Sequence, residues 1–179
     1  DAGGEAAQAL DALALRAELV VIDHRAELGR ALGELHLLVG LEEEARVGQA
    51  RPHHALVAVH DVGRVARTDV RNQQEVFDTI NSLPEKWKNI DILINNAGLA
   101  LGRDLFDKAS LEDWDTMIDT NVKGLLYVSK AVVPFMTERK SGHIINVGST
   151  AAKEVYEGGN VYCASKSAVD AISKAMRID

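Results

Sequence analysis

A single cysteine, Cys163, stands in the 179 residues, so no internal disulfide can form and a reducing compartment, the cytoplasm, is the expected location. Long apolar runs are missing too. Leu19 to Ile22 and Ile90 to Ile94 are strand-sized, far short of the ~20 residues a membrane helix needs, so no membrane association is expected. The opening Asp1-Ala2-Gly3-Gly4 has neither a basic start nor a continuous apolar core behind it, and no secretory leader is expected. An excess of positive charge is also absent: the net charge is -7 with both signs interspersed, which argues against nucleic acid as a partner. Through Thr68 the chain further lacks aromatics, Lys, Ser, Asn, Cys and Met, all of which appear after Asp69. That shift divides the sequence into an atypical Ala/Leu/Arg-rich segment, 1–68, and a second segment, 69–179.

What is present reads as alternating strands and helices. In the first segment the pattern predicts a helix over Glu5 to Arg16, a buried strand Leu19 to Ile22 ending at Asp23, and a helix with Leu28, Leu32, Leu35 and Val39 on one face. A strand follows at Ala55 to Val59. His53 and His54, with His60 and Asp61 nearby, have no second cluster at zinc-site spacing, so no metal is expected. In the second segment Asn72 with Glu75 forms a capping pair ahead of the stripe Val76, Phe77, Ile80 and Leu83, and Pro84 ends that helix. Ile90 to Ile94 is a buried strand. A helix starts at Leu111 after the N-cap Ser110 and runs through Asn121 to about Met136, with Pro134 near its end. A strand over His143 to Val147 and a last helix through Val169, Ile172 and Met176 complete the chain. Alternation of this kind predicts an α/β fold, a doubly wound parallel sheet with helices on both faces.

The last helix carries Tyr162 and Lys166 four residues apart, on one face. A phenol titrates near pH ~10 in water, so acid–base work at neutral pH requires a fixed positive charge beside it. At ~5 Å and an effective dielectric of ~20 a lysine supplies about 3 kcal/mol of attraction. Such a sheet binds ligands at the carboxyl ends of its strands. Asp69-Val70, the Asn95-Asn96-Ala97-Gly98 turn and Gly148-Ser149 all fall there. Gly98 permits close backbone approach by a ligand, and the Ser149 hydroxyl can bond a substrate oxygen. Cys163, Trp87 and Trp114 read as packing residues, and His143 as structural.

Asn95-Asn96-Ala97-Gly98 after a strand, Asn121 in the next long helix, Ser149 after the following strand, and Tyr162-x-x-x-Lys166, in that order, resemble the short-chain dehydrogenase/reductase family over about 69–179. The wording Leu83-Pro84-Glu85-Lys86-Trp87 and Gly158-Gly159-Asn160-Val161-Tyr162-Cys163-Ala164-Ser165-Lys166 is most similar to NADP-dependent serine and 3-hydroxy acid dehydrogenases. The resemblance implies a Rossmann-like fold and hydride exchange between NADP, with NAD as the second option, and a small alcohol or carbonyl substrate. It implies that Tyr162 is the acid and base, that Lys166 favours the phenolate and holds the nicotinamide ribose, and that Ser149 polarises the substrate oxygen. It also implies that Asn121 interrupts its helix and holds a proton-relaying water. By the same resemblance Asp69 and Val70 face the adenine, Asn95, Asn96, Ala97 and Gly98 line the cofactor cleft, and the protein is a homodimer or homotetramer.

Two departures qualify that picture. The family's glycine turn, Thr-Gly-x-x-x-Gly-x-Gly, is not written here; Gly29 and Gly33 match part of its spacing, but within a helical pattern. Either the chain begins just past that turn, with Gly3-Gly4 its remnant and Asp23 placed to contact the adenosine ribose and favour NAD, or residues before Asp69 have a different origin. The family also continues past the position of Asp179 with a strand, a Pro-Gly turn, a substrate loop and a last strand, so the fold is expected to be incomplete on that side, its edge strand unpaired unless another chain covers it. An oxidoreductase and a catalytically silent fragment or interaction module of the family are the two functions that follow.

Overall fold

The computed structural model describes residues 18–22, 55–60 and 64–179, with side chains described from Thr68 onward except that of Lys86. The helices expected over Glu5 to Arg16 and Leu28 to Val39, the ribose contact at Asp23, Gly3-Gly4, Gly29, Gly33 and the His53-His54 pair lie outside the described residues. Among the described residues five strands form one sheet: β1 (Glu18–Ile22), β2 (Ala55–His60), β3 (Arg64–Thr68), β4 (Ile92–Asn95) and β5 (His143–Asn146), in the order β3-β2-β1-β4-β5. β1 pairs with β2 and β4 with β5 in parallel, the latter placing Asn95 beside Asn146.

Two junctions differ from the wholly parallel expectation. β2 and β3 are antiparallel, and the three residues between them leave no room for a crossover helix, so reversal is the only connection available. β1 also runs antiparallel to β4, pairing Val20 with Ile94. Nothing in the described contacts dictates that reversal. Strand β3 had no counterpart in the sequence reading.

Helix α1 (Gln73–Asn81) starts where Asn72 and Glu75 predict: the Asn72 side chain accepts the Glu75 backbone N–H at 3.2 Å. Glu75 turns back and accepts the N–H of Asp69 at 3.1 Å, so the capping reaches the end of β3. Ser82, ahead of Pro84, closes the helix. Its buried stripe, Val76 and Ile80, joins Val70, Leu83, Trp87, Ile90 and Leu93 in one core with Val128, Ala131, Val132 and Met136 of the long helix α3 (Leu125–Arg139). Complete burial of a side chain such as Ile80 or Val132 contributes about 1.5–3 kcal/mol. Pro134 lies within α3, which runs on to a left-handed Lys140.

The helix expected to run from Leu111 with an interruption at Asn121 is three pieces, broken where the resemblance implied. α2 (Leu111–Ile118) begins at Ser110, whose hydroxyl accepts the Asp113 N–H at 3.3 Å. The turns then widen into a π-helix over Asp119–Gly124 before α3 resumes the α geometry. Wide turns of this kind accommodate one extra residue and are frequent at functional sites. The last helix, α4 (Asn160–Ile178), packs on α2 and the π segment. Leu93 in the core, Asn95 bonded to Ser129 of α3, and Asn146 bonded to Ser173 of α4 show that α3 and α4 share one face of the β4–β5 pair. No helix among the described residues is long and apolar enough to cross a membrane.

Candidate active site

Strand β4 runs into Asn95-Asn96-Ala97-Gly98, and β5 into Val147-Gly148-Ser149, side by side in register. Asparagine closes both strands, and the two are bonded: Asn95 Nδ2 donates to Asn146 Oδ1 at 2.8 Å and to Ser129 Oγ at 3.0 Å. Asn146 Nδ2 in turn donates to Ser173 Oγ at 2.9 Å. This chain of amides and hydroxyls holds the ends of the strands to α3 and α4. Asn95 is therefore spent on structure, with 5% exposure. Asn96 and Ala97 are half-buried at the turn, Ala97 against the core.

The widened π segment turns Asn121 inward, where it is 1% exposed. Its Oδ1 accepts the Leu99 backbone N–H at 2.8 Å, and its Nδ2 donates to the Leu99 carbonyl at 2.8 Å and to Ser165 Oγ at 3.0 Å. Ser165 passes the connection on, donating to the Tyr162 carbonyl at 2.8 Å. A single buried amide thus fastens the segment after β4 to the helix that carries Tyr162 and Lys166.

Lys166 is buried, at 7% exposure, and its Nζ donates to the carbonyl of Val147 at 3.0 Å. Burial lowers its pKa from the ordinary lysine range, because the charged form loses hydration. Gly98 lies directly opposite. A β-carbon built there would come 3.3 Å from Lys166 Nζ and 3.4 Å from Asn121 Oδ1, so glycine keeps a small space open between the two. Tyr162 is half-buried one turn before Lys166, and its hydroxyl makes no hydrogen bond among the described residues. Ser149, in extended backbone, accepts the Ala151 N–H at 3.2 Å and caps the turn Thr150–Ala152.

Gly98, Asn121 and Lys166 are thus brought together at one strand end, and Lys166 is tied to the segment from Val147 to Ser149. Asp69 and Val70 are placed differently. The Asp69 carboxylate holds the Arg71 guanidinium through contacts of 2.6 to 3.1 Å, which raise the arginine pKa, with Asp119 adding to the effect. Val70 is completely buried under Gly124, so only its backbone can meet a ligand. Asp69 and Arg71 line an open depression of about 500 Å³ with Asn72, Gln73, Gln74, Asp119 and Tyr127.

Two residues of this arrangement were missed from sequence: Ser165 and Asn146. Ser165 lies within the stretch around Tyr162, and Asn146 occupies in β5 the position that Asn95 occupies in β4. That matched pair of strand-end asparagines was the available signal.

Comparison with known proteins agrees with this geometry. The model of the short chain dehydrogenase family matches residues 32–179, which extends the likeness back into the aromatic-free segment. The NADP-dependent 3-hydroxy acid dehydrogenase YdfG of Escherichia coli K12 is 56% identical over 115 residues, covering 64% of this chain and 46% of that protein. Its Salmonella typhimurium counterpart is 50% identical over 137 residues, covering 74% and 55%. The chain spans about half the length of the curated relatives it matches. Among solved structures, serine dehydrogenase from Escherichia coli superposes with a TM-score of 0.61 at 52% identity, over 70% of this chain and 54% of that one. A closed serine dehydrogenase complexed with NADP+ gives 0.64 at 40% identity, over 89% and 65%. Strand-end glycine, π-turn asparagine and buried lysine therefore stand in a chain that belongs to the short chain dehydrogenase family, with its Rossmann-like fold.

Proposed function

We propose that this chain carries the proton-transfer centre of an NADP-dependent oxidoreductase that interconverts a secondary alcohol, a 3-hydroxy acid such as serine, and the corresponding carbonyl compound. The observation that carries the reading is the convergence of Lys166 Nζ and the Asn121 amide on the space that Gly98 leaves open. A β-carbon would fill that space, and a buried ammonium with one hydrogen on the Val147 carbonyl retains two donors, which fits the hydroxyls of a ribose. The names of the relatives, which specify NADP and 3-hydroxy acids, favour NADP over NAD.

NADP, when bound, supplies or accepts the hydride. Tyr162 gives its hydroxyl proton to the substrate oxygen during reduction and takes a proton back during oxidation. Lys166 stabilises the negative charge left on that phenol. Ser149 accepts the Ala151 N–H on its oxygen, so its own proton is free to donate to the substrate oxygen, a one-donor form of oxyanion stabilisation. The Asn121 side chain is committed to Leu99 and Ser165, so it holds the wall of the site, and a proton-relaying water would be held by its main-chain carbonyl. In the same reading Asp69, the Val70 backbone and the turn from Asn95 to Gly98 border the dinucleotide. A cytoplasmic location and a homodimer or homotetramer, formed across α3 and α4, belong to the proposal; exposed Leu126 on α3 supports the assembly.

The test compares wild type with Tyr162→Phe, following NADPH absorbance with a 3-hydroxy acid as substrate. Tyr162→Phe should lose at least ~10²-fold in turnover while NADPH binding is unchanged. Equal turnover in the two proteins would refute the role of Tyr162. A wild-type chain that neither binds NADPH nor turns over would leave the silent-fragment reading in its place.

A further inference from the structure

Asn160, two residues ahead of Tyr162, makes bonds that capping of its own helix does not require. Its Oδ1 accepts the Trp114 indole N–H of α2 at 3.1 Å and the neighbouring Val161 N–H at 2.6 Å. Its Nδ2 donates to the carbonyl of Asp104 at 3.2 Å. Beside it, Gly158 has a φ of +74°, and a β-carbon there would sit 2.5 Å from the Arg103 carbonyl, so the loop presses on the backbone leading into α4. Trp114 extends the junction outward, its ring 4.8 Å from that of Phe106 at a 47° tilt. The segment from Leu99 to Ala109 is consequently held at two places by asparagine side chains, at Leu99 by Asn121 and at Asp104 by Asn160.

We infer that Asn160 is a positioning residue for Tyr162: by locking the first turn of α4 to Trp114 and to Asp104, it fixes where the phenol stands relative to the Leu99–Ala109 segment. The inference rests on the reading of Tyr162 as the acid–base group. Tyr162 lies on that same first turn, so a slack junction displaces the phenol directly, and a displacement of about 1 Å at a reacting group can cost ~10²-fold in rate. Neither Asn160 nor Trp114 is bonded to Gly98, Asn121 or Lys166, so the first expected effect of a slack junction is on the phenol rather than on the cofactor.

Two substitutions separate positioning from mere stability. Asn160→Asp keeps both acceptor bonds, and its negative charge suits a helix N-terminus, while the bond to the Asp104 carbonyl is replaced by repulsion. Trp114→Phe removes the indole N–H and leaves an aromatic ring against Phe106. With NADPH absorbance as readout, each variant is expected to lower kcat about 10-fold or more, with the KM for NADP and the thermal unfolding midpoint at wild-type values. Wild-type kcat in Asn160→Asp overturns this inference and leaves the reading of Tyr162 standing. A fall in kcat that merely follows a fall in the unfolding midpoint makes Asn160 a structural residue and likewise overturns it. A wild-type chain without turnover overturns both readings together.

Discussion

Helices α1 and α3 are joined by hydrocarbon, whereas α2, the π segment and α4 are joined by amides. Between the first pair lie Val76, Ile80, Val128 and Val132, each at most 2% exposed. Between the second set lie Asn121 and Ser165, with Asn160 bridging from α4 to Trp114. Apolar packing is non-directional and tolerates small shifts, so it supplies stability without fixing an atom. Hydrogen bonds from a buried amide specify direction and distance and are costly to leave half-made. The protein places the first kind of contact under the sheet and the second kind around the residues assigned to proton transfer.

Substitutions on either side should break that contrast in different ways. Ile80→Ala, in the hydrocarbon half, is expected to destabilise the protein by about 2–5 kcal/mol in a urea titration while leaving the properties of the site in the folded fraction unchanged. Asn121→Ala orphans the buried backbone groups of Leu99 and is expected to cost about 1–3 kcal/mol, with a disproportionate loss of NADPH-linked turnover. Comparing the two variants at equal folded fraction is the measurement; equal residual activity would erase the distinction.

The buried lysine gives a smaller effect with a definite sign. Burial places the folded-state pKa of Lys166 below the ordinary 10.5, so between that folded value and 10.5 the unfolded chain binds more protons than the folded one. Stability contributed by this group therefore rises with pH across that window. Urea midpoints measured from neutral pH to 10.5 should show the rise in wild type and lose it in Lys166→Met.

The two halves also differed in how far they could be read from sequence. Val76, Phe77, Ile80 and Leu83 recur at helical spacing behind a cap, so the hydrocarbon half announced itself. The π segment was legible only through the resemblance, which marked Asn121 as an interruption; its wide turns over 119–124 show in no apolar spacing, only in the backbone hydrogen bonding. Tyr162, Lys166, Ser149 and Asn121 were singled out by their order and spacing, which say nothing of how they are placed relative to one another. The bonds of Asn121 to Leu99 and of Trp114 to Asn160 span 22 and 46 residues, beyond any local pattern. The pairing of β1 with β4 is equally non-local, and alternation of strands and helices predicted the parallel direction that the structure reverses there. Asp69 was expected at the carboxyl edge and follows β3, which runs in the same direction as β4 and β5; the engagement of its carboxylate by Arg71, two residues away, was not legible.

At the centre of the proposal, a dinucleotide approaches Lys166 and Asn121 across Gly98, which has no β-carbon to stand in its way. Calorimetric titration of NADPH into wild type and Gly98→Ala tests it most directly, since the added methyl would stand 3.3 Å from Lys166 Nζ without entering the hydrocarbon core. Saturable binding by wild type, weakened about 10-fold or more in Gly98→Ala at an unchanged unfolding midpoint, is the predicted result. No binding by wild type at about millimolar NADPH, a threshold of only ~4 kcal/mol, or identical binding by the two proteins, would contradict it.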